Sequence, residues 1–275
     1  MAPDRTIPVS PLPHHIEAWL EDLYIAVNRR EMVHPDPLEF LYRYECLKDR
    51  EIAGFIGSSL AYGRVAQILK SVATVLDVMG PSPHDFLLSV SRNELKARFQ
   101  GFCHRFACDT DLIDLLSAIK RVIQEYGSLY ACFLNGYRSS DDLLIPAQIR
   151  FCEALSYGYD LGHLLPLPQR GSACKRLNLF LRWMVRCDAV DPGGWPEIPA
   201  SRLIVPLDTH MHRIGNHLGF SARKQADLRT ALEITAAFAG LNPNDPVRYD
   251  FALTRIGIRK DIDFDHYLER YRTGN

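Results

Sequence analysis

A primary amine and a carboxylate, 33 positions apart, are the most chemically capable pair in this 275-residue chain. Lys175 lies early in the basic amphipathic segment Gly171-Ser172-Ala173-Cys174-Lys175-Arg176-Leu177-Asn178-Leu179-Phe180-Leu181. Asp208 follows a proline in Val205-Pro206-Leu207-Asp208-Thr209-His210-Met211-His212-Arg213-Ile214. An amine can attack an electron-poor carbon once it has lost a proton, and a carboxylate can take that proton or stabilise developing positive charge. Both residues stand where helices are expected to begin. The unpaired N–H groups of a helix's first turn can hold a phosphate oxygen. The combination points to an enzyme acting on nucleic acid.

The elements that must position the pair read as helices. After Gly171, Cys174, Leu177, Phe180, Leu181, Met184 and Val185 form an apolar stripe, with Lys175, Asn178, Arg182 and Arg186 opposite it. That polar side is either a solvated face or a phosphate-facing one. A helix expected over 145–155, a turn containing Gly171 and this basic helix make a helix–hairpin–helix over about 145–186. Asp208 is well placed as the N-cap of a helix with Met211, Ile214 and Leu218 on its apolar face, ending near Gly219. His210, His212 and His217 lie close to Asp208 and invite a metal reading. Helical spacing turns His210 and His212 roughly 200° apart, so no metal site and no cofactor are expected. The stretch 187–206 carries Pro192, Gly193, Gly194, Pro196, Pro199 and Pro206, breaks the helical period and reads as a hinge.

Elsewhere the 3.6-residue period predicts helices over 15–31, after Pro37, and over 49–61, 65–79, 83–90, 92–98, 111–126 and 128–134. The 49–61 segment, rich in small and apolar residues, suits a centrally buried helix. Strands are expected to be minor or absent, and the fold class is all-α. No stretch approaches the roughly 18 uninterrupted apolar residues that a membrane span needs, and Met1 to Pro8 contains no signal-peptide-like apolar run. A cytosolic protein that avoids membranes is the expectation, with its work done at the nucleoid.

A net charge of −1 argues against indiscriminate binding to nucleic acid through bulk charge. The charge is uneven, however. Residues 1–60 carry six Lys/Arg against ten Asp/Glu, whereas 165–229 carry ten against five, so the positive segment is the one holding Lys175 and Asp208. The seven cysteines are scattered at 46, 103, 108, 132, 152, 174 and 187 with no Cys-x-x-Cys pair. Reduced, mostly buried thiols are expected rather than a disulfide framework.

The two chemistry-bearing segments resemble those of the helix–hairpin–helix superfamily of DNA glycosylases, the group that includes endonuclease III and the 8-oxoguanine glycosylases. Gly171-Ser172-Ala173-Cys174-Lys175-Arg176-Leu177-Asn178 resembles the family's hairpin. Leu207-Asp208-Thr209-His210-Met211-His212-Arg213-Ile214 resembles its Val-Asp-Thr-His signature. The likeness is strong over about 150–220 and fainter over Ile52–Val65. The Lys175-to-Asp208 interval is similar to that of the archaeal 8-oxoguanine glycosylase branch, and the whole chain also resembles a bacterial family of unassigned function. Three departures stand out. Ala173 occupies the place of the hairpin's second glycine, and Ser58 or Ser59 that of a wedge or pocket glutamine. No cysteine follows Asp208, so the iron–sulfur cluster of some relatives is not expected.

The resemblance implies a two-lobed helical fold with a cleft between lobes. One lobe would comprise 1–45 plus 200–275, and the other, a helical barrel with the hairpin, 46–199. The implied partner is double-stranded DNA containing a damaged base, bound by a monomer. Lys175 and Asp208 would be catalytic, and Asp250, Phe180, Leu179, Ser59 and Tyr62 would face the substrate. Phe55, Tyr249 and Phe251 are further aromatic candidates for stacking on a base. Gly171, Ser172, Ala173, Arg176, His210 and Arg213 would meet the DNA backbone. The implied reaction is excision of an oxidised base such as 8-oxoguanine through a lysine Schiff base, with strand cleavage following. Two other readings stay open: a glycosylase-fold protein that binds nucleic acid without excision, and a metal-dependent phosphohydrolase built on Asp208, His210 and His212. A helical scaffold for a protein partner is a third.

Overall fold

The computed structural model describes residues 15–258. The outer parts of the expected terminal lobe, 1–14 and 259–275, and with them the amino-terminal stretch read for a signal peptide, lie outside the described residues. The chain is mostly helical. In order it forms α1 (His15–Val27), α2 (Leu47–Ser59), α3 (Val65–Met79), α4 (Pro83–Ser89), α5 (Arg92–Arg98), β1 (Cys103–His104), β2 (Ala107–Cys108), α6 (Asp109–Tyr126), α7 (Leu129–Gly136), α8 (Ile145–Ser156), α9 (Lys175–Val185), α10 (Thr209–His217), α11 (Leu228–Leu241) and α12 (Asp250–Ile258). Among the described residues, named strands are confined to the antiparallel ribbon β1–β2. No described helix is long and apolar enough to cross a membrane.

Local chemistry sets the boundaries. Ser91 and Glu94 make a reciprocal capping box at the start of α5, the Ser91 amide donating to Glu94 Oε2 (2.8 Å) and the Glu94 amide to Ser91 Oγ (3.2 Å). Gly127 ends α6 in the left-handed conformation (φ 88°), which costs a glycine little. The segment after Pro37 is a 3₁₀ stretch, Pro37–Arg43, rather than an α-helix. Its three-residue period brings Leu38 and Leu41, both fully buried, into line on one face.

As its small residues led us to expect, α2 is central, buried at every position from Glu51 to Ser59. It packs on the Pro37–Arg43 turn and on α9. Gly54 is where the turn comes closest: a Cβ there would sit 3.2 Å from Leu41 Cδ2. Beneath α2, Phe55, Phe133, Phe151, Phe180 and Trp195 form an edge-to-face and stacked aromatic cluster.

The 187–206 segment is anchored, contrary to the hinge expectation. Trp195 is fully buried, and its indole N–H donates to Glu51 Oε1 (3.0 Å). The Gly193 and Trp195 amides bond the carbonyls of Trp183 and Met184. Proline and glycine broke the helical period here, but one large aromatic side chain with a satisfied donor ties the loop to the core.

Beyond Lys175, the polar stripe that begins on α9 is likewise buried, neither solvated nor open to phosphate. Asn178 and Arg182 are each 2% exposed and Arg186 4%. Arg182 pairs with Asp191 and Asp250, and Arg186 with Asp188, Asp191 and Asp245. Because buried charge must be paired, these arginines join α9 to the 187–191 loop, to Asp245 and to α12. Four of the seven cysteines, Cys46, Cys103, Cys108 and Cys187, are exposed. The expectation of mostly buried thiols fails for them, since each lies at an element end or on the small ribbon.

Candidate active site

Lys175 is the first residue of α9, and the turn before it is shaped by two left-handed residues, Gly171 (φ 72°) and Cys174 (φ 47°). Ala173, in the place expected of a second glycine, is outside that region; the left-handed residue is its neighbour Cys174. The turn is held from below. The Asn178 side-chain amide donates to the Ala173 carbonyl (3.0 Å), and Gln148 of α8 donates to Asn178 Oδ1 (2.7 Å). One buried amide thus fastens the turn to both flanking helices, and Lys175 extends from it along the cleft wall. Ser172 also forms an isolated antiparallel bridge with Asp227, with the Leu228 amide bonded to the Gly171 carbonyl (3.0 Å).

Asp208 caps α10 as its sequence position predicts. Oδ1 accepts from the His210 amide (2.9 Å) and the Met211 amide (2.8 Å). Oδ2 is turned the other way, 3.5 Å from Lys175 Nζ. The lysine side chain is 33% exposed and the aspartate 18%, so the pair is partly covered but reachable.

The pair lies in a cleft of ≈ 810 Å³. Its walls come from the Asp36–Pro37 turn, Ala61–Val65 after α2, the 170–176 turn, α9, the 206–210 approach to α10, and α12. Of the residues singled out in the sequence, Lys175, Asp208, Asp250, Leu179, Tyr62, Gly171, Ser172, Ala173, Arg176 and His210 all line this cleft.

Three do not. Phe180 is fully buried in the aromatic cluster, on the core face of α9, as its place in the apolar stripe dictates. Ser59 is buried at 3% and offers the interior its backbone carbonyl. Arg213 is exposed on α10 away from the cleft wall. The other aromatic candidates, Phe55, Tyr249 and Phe251, are likewise core residues, leaving Tyr62 as the one that reaches the cleft.

Arg176 is in the cleft wall but is committed to structure. Its NH1 donates to the Ser59 carbonyl (2.8 Å), its NH2 to the His163 carbonyl, and its guanidinium lies over the Tyr62 ring at 5.1 Å. It braces the wall instead of facing outward as a backbone contact. Tyr62 is fixed in turn, its hydroxyl donating to the His104 carbonyl (3.0 Å) and meeting His163 Nε2 (3.0 Å).

Asp250, at the first turn of α12, closes the floor. It is 2% exposed. Oδ2 accepts from Arg182 NH1, while the buried Oδ1 has no hydrogen-bond partner. Burial pushes its carboxyl up to about 6 against the pull of the Arg182 guanidinium, and the nearby Asp208 charge pushes the same way. A buried acceptor without a donor is costly unless a ligand supplies one.

Sequence reasoning missed Asp36, which lines the cleft while its carboxylate accepts from the Leu38 amide (3.0 Å) and pairs with the buried Arg255. The Asp-Pro step at 36–37 was the available signal. It also missed Asp191, buried completely between Arg182 and Arg186. Among the described residues no group of three His, Cys, Asp or Glu side chains is arranged to hold a metal ion. His212 meets the Arg223 carbonyl through Nε2 (2.8 Å), while His210 lines the cleft.

Fold and site together define a mostly helical protein with an amine–carboxylate pair at the mouth of a cleft floored by a second, buried carboxylate. The chain belongs to the family described as Protein of unknown function (DUF2400), which matches residues 36–259. No curated protein matches the chain. No solved structure matches it either.

Proposed function

We propose that the chain is a DNA glycosylase with associated strand-cleaving lyase activity, acting on an oxidised base such as 8-oxoguanine. The observation that carries this reading is the convergence of Lys175 and Asp208, from elements 33 positions apart, at 3.5 Å in one cleft. The amine must lose a proton before it can attack, and the Asp208 carboxylate is an acceptor within reach. Nζ then bonds to C1′ of the target nucleotide as the C1′–N bond to the base breaks, the electron pair leaving with the base. Asp208 passes the proton it took on to the departing base, and the carboxylate, ionised again, stabilises positive charge growing on the sugar. Ring opening yields a Schiff base between Lys175 and C1′, from which β-elimination cuts the strand. Extrusion of the target nucleotide costs a few kcal/mol and is cheapest where the damaged base pairs poorly.

The free Oδ1 of Asp250 supports a pocket for the extruded base, since an N–H on the base edge would supply the donor that this buried acceptor lacks. Leu179 and Tyr62 would form its apolar wall. The 170–174 turn, where N–H groups precede α9, and His210 would meet the DNA backbone. The reading carries a two-lobed arrangement, the terminal segments forming one lobe around the 46–199 body. The packing of α12 against both α1 and α10 supports it, as does that of α2 against α7 and α9.

The test is borohydride reduction of the protein mixed with duplexes containing 8-oxoguanine, an oxidised pyrimidine, uracil or an abasic site. Wild type should give a covalent protein–DNA band and Lys175→Gln none. If wild type traps on none of these duplexes yet still binds DNA, the non-excising reading replaces this one. Activity abolished by a chelator but retained by Lys175→Gln would favour the metal-dependent phosphohydrolase.

A further inference from the structure

We propose that Cys103 and Cys108 are a reversible modification site, a dithiol that closes to a disulfide across the β1–β2 ribbon when the protein meets a small-molecule disulfide. The two residues face each other in the antiparallel register, Cys103 opposite Cys108 and His104 opposite Ala107, with the two-residue connection Arg105-Phe106 between. In a two-residue hairpin the pair flanking the loop exchanges backbone hydrogen bonds, so the next pair outward is a non-hydrogen-bonded one. Cα atoms in such pairs stand about 4.5 Å apart, inside the range of roughly 4.4–6.8 Å that a disulfide spans. Alternation along the ribbon supplies the second requirement. His104 and Ala107 are buried beneath it, and both cysteines lie on the exposed face.

The register is held from both sides. On β1, the His104 ring bonds Ser71 Oγ through Nδ1 (2.9 Å) and the Tyr62 carbonyl through Nε2 (3.2 Å). On β2, Cys108 runs directly into the first residue of α6. There its Sγ donates to Asp111 Oδ2 (3.1 Å) and lies 3.0 Å from Thr110 Oγ1. Closure therefore requires rotation of the Cys108 side chain away from the α6 cap and no change of register. The three buried cysteines are poor competitors, for burial pushes the Cys132 thiol up to about 12 and the Cys174 thiol up to about 11 and suppresses their thiolates. The site borders the cleft, since Tyr62, which hydrogen-bonds His104 twice, lines it.

The chemistry is ordinary thiol–disulfide exchange. One cysteine thiolate attacks oxidised glutathione, forming a mixed disulfide and expelling one glutathione thiolate. The second cysteine thiolate then attacks the sulfur of the first cysteine and expels the other glutathione. Two electrons pass from the cysteine pair to glutathione, and the two cysteine protons end on the two glutathione thiols.

The test uses the full chain, equilibrated in glutathione buffers of rising oxidised fraction, quenched by alkylation and digested with trypsin without reduction. Trypsin cuts after Arg105, inside the connection, so Cys103 and Cys108 leave on separate peptides unless a disulfide joins them. The expected product is the peptide ending at Arg105 joined to the peptide beginning at Phe106. It should be ~2 mass units lighter than the two thiol forms together and be released by dithiothreitol. Cys103→Ser should leave Cys108 carrying a separate glutathione. Thiols that stay free, or carry separate glutathione adducts, across the whole range would overturn the proposal. So would bonding of either residue to Cys46 or Cys187.

Discussion

Asp208 presents its two oxygens to different tasks, Oδ1 to the backbone N–H groups of His210 and Met211 and Oδ2 to Lys175 Nζ at 3.5 Å. Because the cap fixes the side chain, the oxygen beside the lysine is oriented without help from the lysine itself. The two tasks are separable by mutation. Asparagine caps a helix about as well as aspartate, so Asp208→Asn should hold stability to within ~0.5 kcal/mol, whereas Asp208→Ala should cost about 1 kcal/mol. Both should lower single-turnover excision by roughly 10²-fold or more, because neither can accept the amine's proton. Urea unfolding measured beside single-turnover kinetics checks both halves. Full turnover by Asp208→Asn would remove the carboxylate from the mechanism.

Lys175→Gln should abolish borohydride trapping while changing stability by less than about 1 kcal/mol, because a partly exposed ion pair contributes little. The side chain is 33% exposed, and the turn that positions it is fastened through Asn178 and Gln148, which the substitution leaves intact. Circular dichroism and a thermal melt separate this outcome from unfolding.

Asp250 is bound to Arg182 inside the protein, so Asp250→Ala should destabilise by roughly 3 kcal/mol, the order expected when a buried charge loses a partner. Asp250→Asn, which can keep an oxygen on Arg182, should lose less stability. Denaturant midpoints of the two variants, compared at neutral pH, test the ranking.

Phe180 and Leu179 are neighbours with opposite duties. Phe180→Ala should cost about 3–5 kcal/mol, as removal of a fully buried aromatic ring does. Leu179→Ala, in the cleft wall, should cost less stability and act chiefly on DNA binding and excision. A Phe180→Ala protein that is fully stable but weak in excision would reverse the assignment.

Glu51 gives a pH signature. It is 1% exposed and accepts from the Leu129 and Tyr130 amides and from the Trp195 indole, yet burial pushes its carboxyl up to about 7 against those donors. A carboxyl raised on folding contributes stability that is present below its unfolded value and lost as pH rises through the folded one. Wild type should therefore lose up to roughly 3 kcal/mol relative to Glu51→Gln as pH rises from about 4.5 to about 7. Urea unfolding of both proteins across that window reads the difference. A constant gap would place the Glu51 carboxyl in its ordinary range.

Much of the helical layout was legible because several boundaries had a local cause. Gly80 with Pro81, Ser82 with Pro83, Ser91 with Glu94, and Asp208 as a cap all act within a few residues of themselves. The cleft's amine and carboxylate were legible for a related reason: both occupy first-turn positions that sequence can locate. Phe180 was misplaced because the family resemblance assigned it to the substrate, although its place in the apolar stripe already put it on the core face. The polar stripe of α9 was misread for another reason. Arg182 and Arg186 look solvated until Asp191, Asp245 and Asp250 are brought to them from three later segments.

From its own residues the chain determines a helical protein with a lysine at one helix start and an aspartate capping another, since propensity, periodicity and capping are short-range properties. Only the tertiary structure decided that the two meet at 3.5 Å, that Trp195 pins the proline-rich loop, and that Asp250 lies unpartnered on one oxygen beneath them. Those facts depend on which surfaces pack together, and packing is settled by the summed burial of distant side chains, which no local spacing encodes.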